Sequence, residues 1–260
     1  NDRVGNIEAH TELNACTLPL TLLQQASVAG DRCFIQVWSP AGGVSLSCTF
    51  SELADCMLGA AVWLRDDIGL QGAEYVAMLA RNSVSYLAVC FGAMALGAAT
   101  LNLNWRNPAE MTARLVERLQ PRLLVASEPF HEQAGALHTA IGVRVTLLEA
   151  VCTTALATLP FSRPATDVAA TLTATICALD PSSTAAVFFT GGTTGTPKAV
   201  PHSHTGLLWL ARSTLGAMPA PFAPSVAHTG TVSITARRFL AHSSSTTPIA
   251  WRWSWAIARC

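Results

Sequence analysis

The stretch FFTGGTTGTPKAV, residues 188–200, sets two phenylalanines directly before a run of glycines and threonines that ends in Pro197 and Lys198. Gly191, Gly192 and Gly195 let the backbone turn several N–H groups toward one point. Thr190, Thr193, Thr194 and Thr196 add hydroxyl donors, and Lys198 adds a positive charge. Together these groups suit a polyphosphate; a glycine-rich surface turn is the plain alternative. The stretch is not a Walker A loop, which needs Gly, Lys and Ser/Thr in succession, because Pro197 separates Gly195-Thr196 from Lys198. Proline also lacks an N–H, so no helix is expected to run through it. Directly upstream, AAVFFT (185–190) reads as a buried strand. The motif is therefore a loop at a strand's C-terminal end, where open α/β sheets place their ligands.

Further upstream, strands and helices alternate. Residues 33–38 and 44–50 read as a hairpin across SPAGG. Residues 51–69 read as a helix with Ser51 at the N-cap, Leu53, Met57, Ala60 and Leu64 on one face, and Gly69 as its stop. Strands are expected at 75–81, 98–103, 121–127 and 143–149. Helices are expected at 83–97, from Pro108 onward, where proline suits the first position, and at 129–142. Residues 150–184 read as a linker with some helix. This rhythm predicts an α/β fold, with helices packed on a mostly parallel sheet.

The 260 residues are 50% hydrophobic and 12% charged, with zero net charge, which favours a substantial core and gives no sign of a nucleic-acid partner. The apolar stretch 86–101 falls short of the ~18–20 residues a bilayer span needs, so no transmembrane segment is expected. The eight cysteines form no C-x-x-C pair and no zinc spacing. They read as free thiols of an intracellular protein, cytoplasmic or organellar. His202 and His204 lack a third ligand nearby, so no metal site is expected. Past residue 217 no helical or strand period persists. A proline-rich and Ser/Thr-rich stretch leads to Trp251, Trp253 and Trp255 at alternate positions. Residues 216–260 are expected to be an atypical tail, frameshifted, mis-joined or disordered.

The string 188–200 resembles the phosphate loop of the adenylate-forming (AMP-binding) superfamily, Tyr-Thr-Ser-Gly-[Ser/Thr]-Thr-Gly-x-Pro-Lys-Gly followed by a histidine. Phe189 stands for the tyrosine, Gly191 for the serine and Ala199 for the last glycine; His204, rather than His202, answers the histidine. VSLSCTFSELADCMLGAAVWLRDDIGLQGAEYVAMLARNS (44–83) resembles that family's opening block, a strand, a helix, then a strand ending in a polar turn. GAMALGAATLNLNWRNPAE (92–110) resembles a second block, with Arg106 in the arginine's place; its NLNWRNP is closer to CoA ligases for fatty or aromatic acids than to peptide-synthetase domains. The resemblance implies an incomplete large N-terminal domain over 18–215. It implies a fragment of an ATP-dependent carboxylate–CoA ligase of fatty acid metabolism. Such a ligase takes a small carboxylic acid, ATP, Mg²⁺ and coenzyme A. Thr190, Gly191, Gly192, Thr193, Thr194, Gly195, Thr196 and Lys198 would hold phosphates, and His204 would neighbour the active site. No residue is assigned to catalysis, since the family's metal-binding glutamate, ribose-binding aspartate and catalytic lysine have no counterparts in 217–260. The alternative is a non-catalytic nucleotide-binding or structural remnant, and the chain alone is expected to lack ligase activity.

Overall fold

The computed structural model describes residues 16–38, 44–151, 161–190 and 197–216. After helix α1 (Leu18–Ala29), strands β1 (Cys33–Trp38) and β2 (Val44–Thr49) pair antiparallel, as the hairpin reading expects; their SPAGG connection lies outside the described residues. The chain passes directly from β2 into α2 (Phe50–Asp66). The cap of α2 is Thr49 and not the expected Ser51. Thr49 Oγ1 accepts from the Glu52 N–H at 3.2 Å, and Glu52 Oε2 accepts from the Thr49 N–H at 2.7 Å. This reciprocal pair fixes the helix start two residues earlier, and Ser51 falls in the first turn. The helix ends at Asp66, and Gly69 (φ +71°) lies in the turn beyond it. Glu52→Ala leaves the Thr49 N–H without its carboxylate, and we expect a loss of about 1 kcal/mol. Urea unfolding measures it; an unchanged midpoint would show that packing alone sets this helix start.

Next come β3 (Tyr75–Leu79), α3 (Val84–Ala95), β4 (Ala99–Asn102), α4 (Ala109–Leu119), β5 (Leu123–Ala126), a 3₁₀ turn (Glu128–Phe130), α5 (His131–Ile141) and β6 (Val145–Leu147). Ser83 caps α3 by accepting from the Tyr86 N–H at 3.0 Å. Pro108 is the N-cap of α4 rather than its first residue. Gly142 (φ +69°) closes α5 in the left-handed conformation. The strand expected over 143–149 is shorter, because the chain turns into helix α6 (Leu148–Val151) where Leu148 is drawn into the core. Within 150–184 the helix is α7 (Thr166–Cys177). Strand β7 (Thr184–Thr190) follows, then β8 (Lys198–Ser203), a strand absent from the sequence reading, and α8 (His204–Gly216).

Six strands form one sheet in the order β6-β5-β3-β4-β7-β8, parallel throughout except for the final β7–β8 pair. The expected α/β fold with a mostly parallel sheet is the observed one. Side-chain alternation divides the core between the two faces. Val76, Met78, Leu123 and Val125 pack with Val89 of α3 and Leu64 of α2. Ala77, Leu79, Leu101, Leu124 and Val187 pack with Leu115 of α4 and Leu137 of α5. Burial on both faces explains why these strands read as unbroken apolar runs. Helices α2 and α3 touch so closely that a Cβ on Gly92 would lie 2.9 Å from Ala60 Cβ. No helix among the described residues is long and apolar enough to cross a membrane.

Candidate functional site

Because β6, β5, β3, β4 and β7 run parallel, their C-terminal ends share one edge of the sheet. Thr190 ends β7 at that edge, and the antiparallel register sets it opposite Lys198, the first residue of β8. The sequence motif is thereby anchored at both ends on neighbouring strands. Gly191, Gly192, Thr193, Thr194, Gly195 and Thr196 lie outside the described residues. Phe189 packs into the core between the sheet and α4–α5, and Phe188 meets His202 edge-on with ring centroids 5.3 Å apart. These contacts fix the strand directly before the loop. Lys198 and Thr190 are exposed, and among the described residues Lys198 forms no ion pair.

The same edge gathers a cationic group. Arg81 follows β3, while Trp105 and Arg106 follow β4. The Arg106 guanidinium carbon lies 4.5 Å from the centroid of the Trp105 ring, and that of Arg81 lies 5.8 Å away. Phe130 backs the indole at 5.8 Å between centroids. The Arg81 N–H donates to Ser127 Oγ at 3.4 Å, which ties the β3 exit to the β5 exit. Both arginines are exposed. Stacking on an indole orients a guanidinium while leaving its N–H groups free for an anion. Sequence reading singled out Arg106 and missed Arg81 and Trp105. The available signal was their place, two to four residues past the ends of strands assigned to one parallel sheet.

His204 is not brought to this edge. Thr184 pairs with Ser203 at the opposite end of the hairpin. His204 therefore sits a strand's length from Thr190, roughly 20 Å at ~3.3 Å per residue. It is fully buried. Its Nδ1 accepts from the Leu18 N–H at 3.2 Å, which pins the start of α1 to the start of α8, and its Nε2 has no hydrogen-bond partner. Burial holds the imidazole down at a pKa of about 4, against the opposing pull of the Asp180 carboxylate. Its geometry is that of a neutral core histidine, set at the end of the hairpin away from Lys198. Among the described residues no group of three or more His, Cys, Asp or Glu side chains gathers into a metal site.

The family model described as AMP-binding enzyme matches residues 23–243, most of the chain. The chain belongs to this family. The match begins within α1, spans the whole six-stranded sheet, and continues past the last described residue. A nonribosomal peptide synthetase from Aspergillus violaceofuscus is 28% identical to this AMP-binding chain over 191 residues, covering 72% of the chain and 2% of the synthetase. Among solved structures, a putative long-chain-fatty-acid CoA ligase from Rhodopseudomonas palustris aligns with a TM-score of 0.56 at 17% identity, covering 76% of this chain and 47% of that one. The o-succinylbenzoate CoA synthetase of Bacillus subtilis, solved with its acyl-adenylate intermediate, aligns with a TM-score of 0.56 at 18% identity over 76% and 46% of the two chains. Likeness at that identity establishes the shared fold. The chain spans under half the length of each of these solved proteins and a small part of the synthetase.

Proposed function

We propose that the chain is part of an ATP-dependent acid–thiol ligase, and that the edge between Thr190 and Lys198 receives the β- and γ-phosphates of ATP. The observation that carries this reading is the Gly/Thr loop held between two strands at the carboxyl edge of the sheet, in a chain of the AMP-binding family. A substrate carboxylate oxygen attacks the α-phosphorus of MgATP. The new P–O bond forms as the bond to the β-phosphate's bridging oxygen breaks, giving acyl-AMP and pyrophosphate. A thiolate sulfur then attacks the acyl carbon; the C–S bond forms as the bond from that carbon to the phosphate oxygen breaks, and AMP leaves with the electron pair. Backbone N–H groups and hydroxyls of residues 190–196, with the Lys198 ammonium, would stabilise charge growing on the departing pyrophosphate. Arg81 and Arg106 make the approach to the edge positive, which favours encounter with an anion. Magnesium belongs to the substrate complex, since Mg²⁺ is commonly held by substrate phosphates and one or two carboxylates.

For the thiol, the stretch NLNWRNP supports coenzyme A and a fatty or aromatic acid. The peptide-synthetase relative supports a second reading, an amino acid passed to a carrier-bound thiol. The free cysteines Cys16, Cys33, Cys48, Cys56, Cys90 and Cys177 support a reducing intracellular compartment. We propose further that 18–215 is a partial domain, that 216–260 is an atypical tail, and that the 260-residue chain alone is inactive for want of the remaining groups. Acid-dependent ATP–pyrophosphate exchange, run on a full-length form against fatty, aromatic and amino acids, is the test. We expect exchange with fatty or aromatic acids and none from the 260-residue chain. Exchange with amino acids only overturns the CoA-ligase reading, and no exchange with any acid leaves a non-catalytic remnant.

A further inference from the structure

A hydrogen-bonded chain runs through the apolar core beneath the strand exits. Tyr86, in the first turn of α3, donates its hydroxyl proton to Asn102 Oδ1, and Asn102 Nδ2–H donates to Thr100 Oγ1 at 3.3 Å. Tyr86, Thr100 and Asn102 are buried, and Met78 and Val89 belong to the same cluster as Tyr86. An apolar set of the same shape would fill this core without desolvating an amide and two hydroxyls. The value of the network therefore lies in geometry: the amide satisfies both partners in one orientation, and so fixes one course for the strand.

That course matters because Asn102 is the last residue of β4. Beyond it, Leu103 N–H donates to Met78 O at 3.1 Å, and a tight turn follows. Asn107 N–H bonds Asn104 O, and Arg106 N–H bonds Asn104 Oδ1, both at 3.0 Å. The turn is stiff within itself, so its direction is set by how the strand exit is held. We propose that Tyr86 and Asn102 are positioning residues. Their bond fixes the exit of β4 and thereby aims the turn bearing Trp105 and Arg106 along the edge shared with Thr190 and Lys198. The functional half of this inference rests on reading that edge as a phosphate site.

Hydrogen exchange read by mass spectrometry on the 260-residue chain tests it, in wild type, Tyr86→Phe and the double variant Tyr86→Phe/Asn102→Leu. The single variant strands a buried amide oxygen; the double variant removes that amide, leaves the Thr100 hydroxyl as the one polar group of the network, and guards against simple misfolding. We expect the peptide spanning 103–107 to exchange on the order of 5–10-fold faster in both variants, with α3 and β3 unchanged. We expect the double variant to recover much of the urea midpoint that the single variant loses, short of wild type by the cost of the Thr100 hydroxyl left without its donor. Unchanged exchange over 103–107 in the folded double variant overturns the positioning role. Equilibrium dialysis with MgATP, run on the same substitutions in a full-length form that carries the remaining groups, separates the two claims. If wild type retains MgATP, both variants must bind it more weakly, and equal affinity overturns the link to the edge. If wild type retains none, the phosphate-site reading fails, while the exchange result still decides whether Tyr86 and Asn102 aim the turn.

Discussion

On the proposed ligase reading, Lys198→Ala in a full-length form is expected to lower acid-dependent ATP–pyrophosphate exchange about a hundredfold, the usual loss when one donor aimed at transition-state charge is removed. Thioester formation from a pre-made acyl-adenylate should be nearly unchanged. Lys198 opens β8 opposite Thr190, is exposed, and makes no ion pair among the described residues, so its ammonium is available to an incoming phosphate. Pyrophosphate is present only in the first half-reaction, which is why the two halves should separate. Thr193→Ala should act in the same direction through loss of a hydroxyl donor. An exposed lysine contributes little to folding, so the urea midpoint should barely move. Rates of the two half-reactions, measured apart, check this; equal losses in both would assign the motif to folding.

Acid should destabilise the fold through His204. Its pKa is about 4 when folded, against 6.5 as the reference value. Between these limits the unfolded chain binds the proton more readily than the folded one, so stability is complete above pH 6.5 and falls as pH drops toward 4. Integrated, the loss is on the order of 2–3 kcal/mol by pH 4.5, or roughly 5–10 °C in melting temperature. Asp180, the charged neighbour, is held below the usual carboxylate range by the Ser182 side chain, so it stays ionised through this window and does not reverse the slope. Calorimetry of wild type and His204→Gln at pH 7.5, 5.5 and 4.5 checks the point. The variant should start less stable, because Leu18 N–H loses its acceptor, yet lose less on acidification. Parallel slopes for the two proteins would remove His204 as the source.

The sheet was legible where strands are buried on both faces. Val76–Leu79, Leu123–Ala126 and Ala185–Val187 are apolar at every position because each side chain meets a helix or a neighbouring strand. Strand β8 escaped notice because Pro201 argues against a strand. It is tolerated because β8 lies at the edge of the described sheet, where a missing N–H can cost no ladder bond. The true cap of α2 was written as Thr49-x-x-Glu52, but Thr49 also ends a strand, and the helical period drew attention to Ser51. At the site, Lys198 and Arg106 could be read from motif spacing. Trp105 and Arg81 could not, since their meeting depends on β3 and β4 lying side by side. His204 shows the converse: a short spacing along the chain becomes a strand's length in space when the intervening residues are extended.

The neighbour relation between β4 and β7 also orders events during synthesis. Strands β3, β4, β5 and β6 meet through short crossovers, whereas about 80 residues separate the end of β4 from its other partner, β7. At ~5–20 residues per second, a ribosome needs roughly 4–16 s to deliver them. Through that interval the nascent sheet presents the open side of β4, with the backbone groups of Thr100 unpaired, as a template for any extended chain nearby. The hairpin that anchors the Gly/Thr loop is thus also the closure of that edge. A nascent chain stalled before Thr184 would carry a formed four-stranded sheet that chaperones must shield, and a substitution that slows the docking of β7 would surface as aggregation during translation before it altered any chemistry.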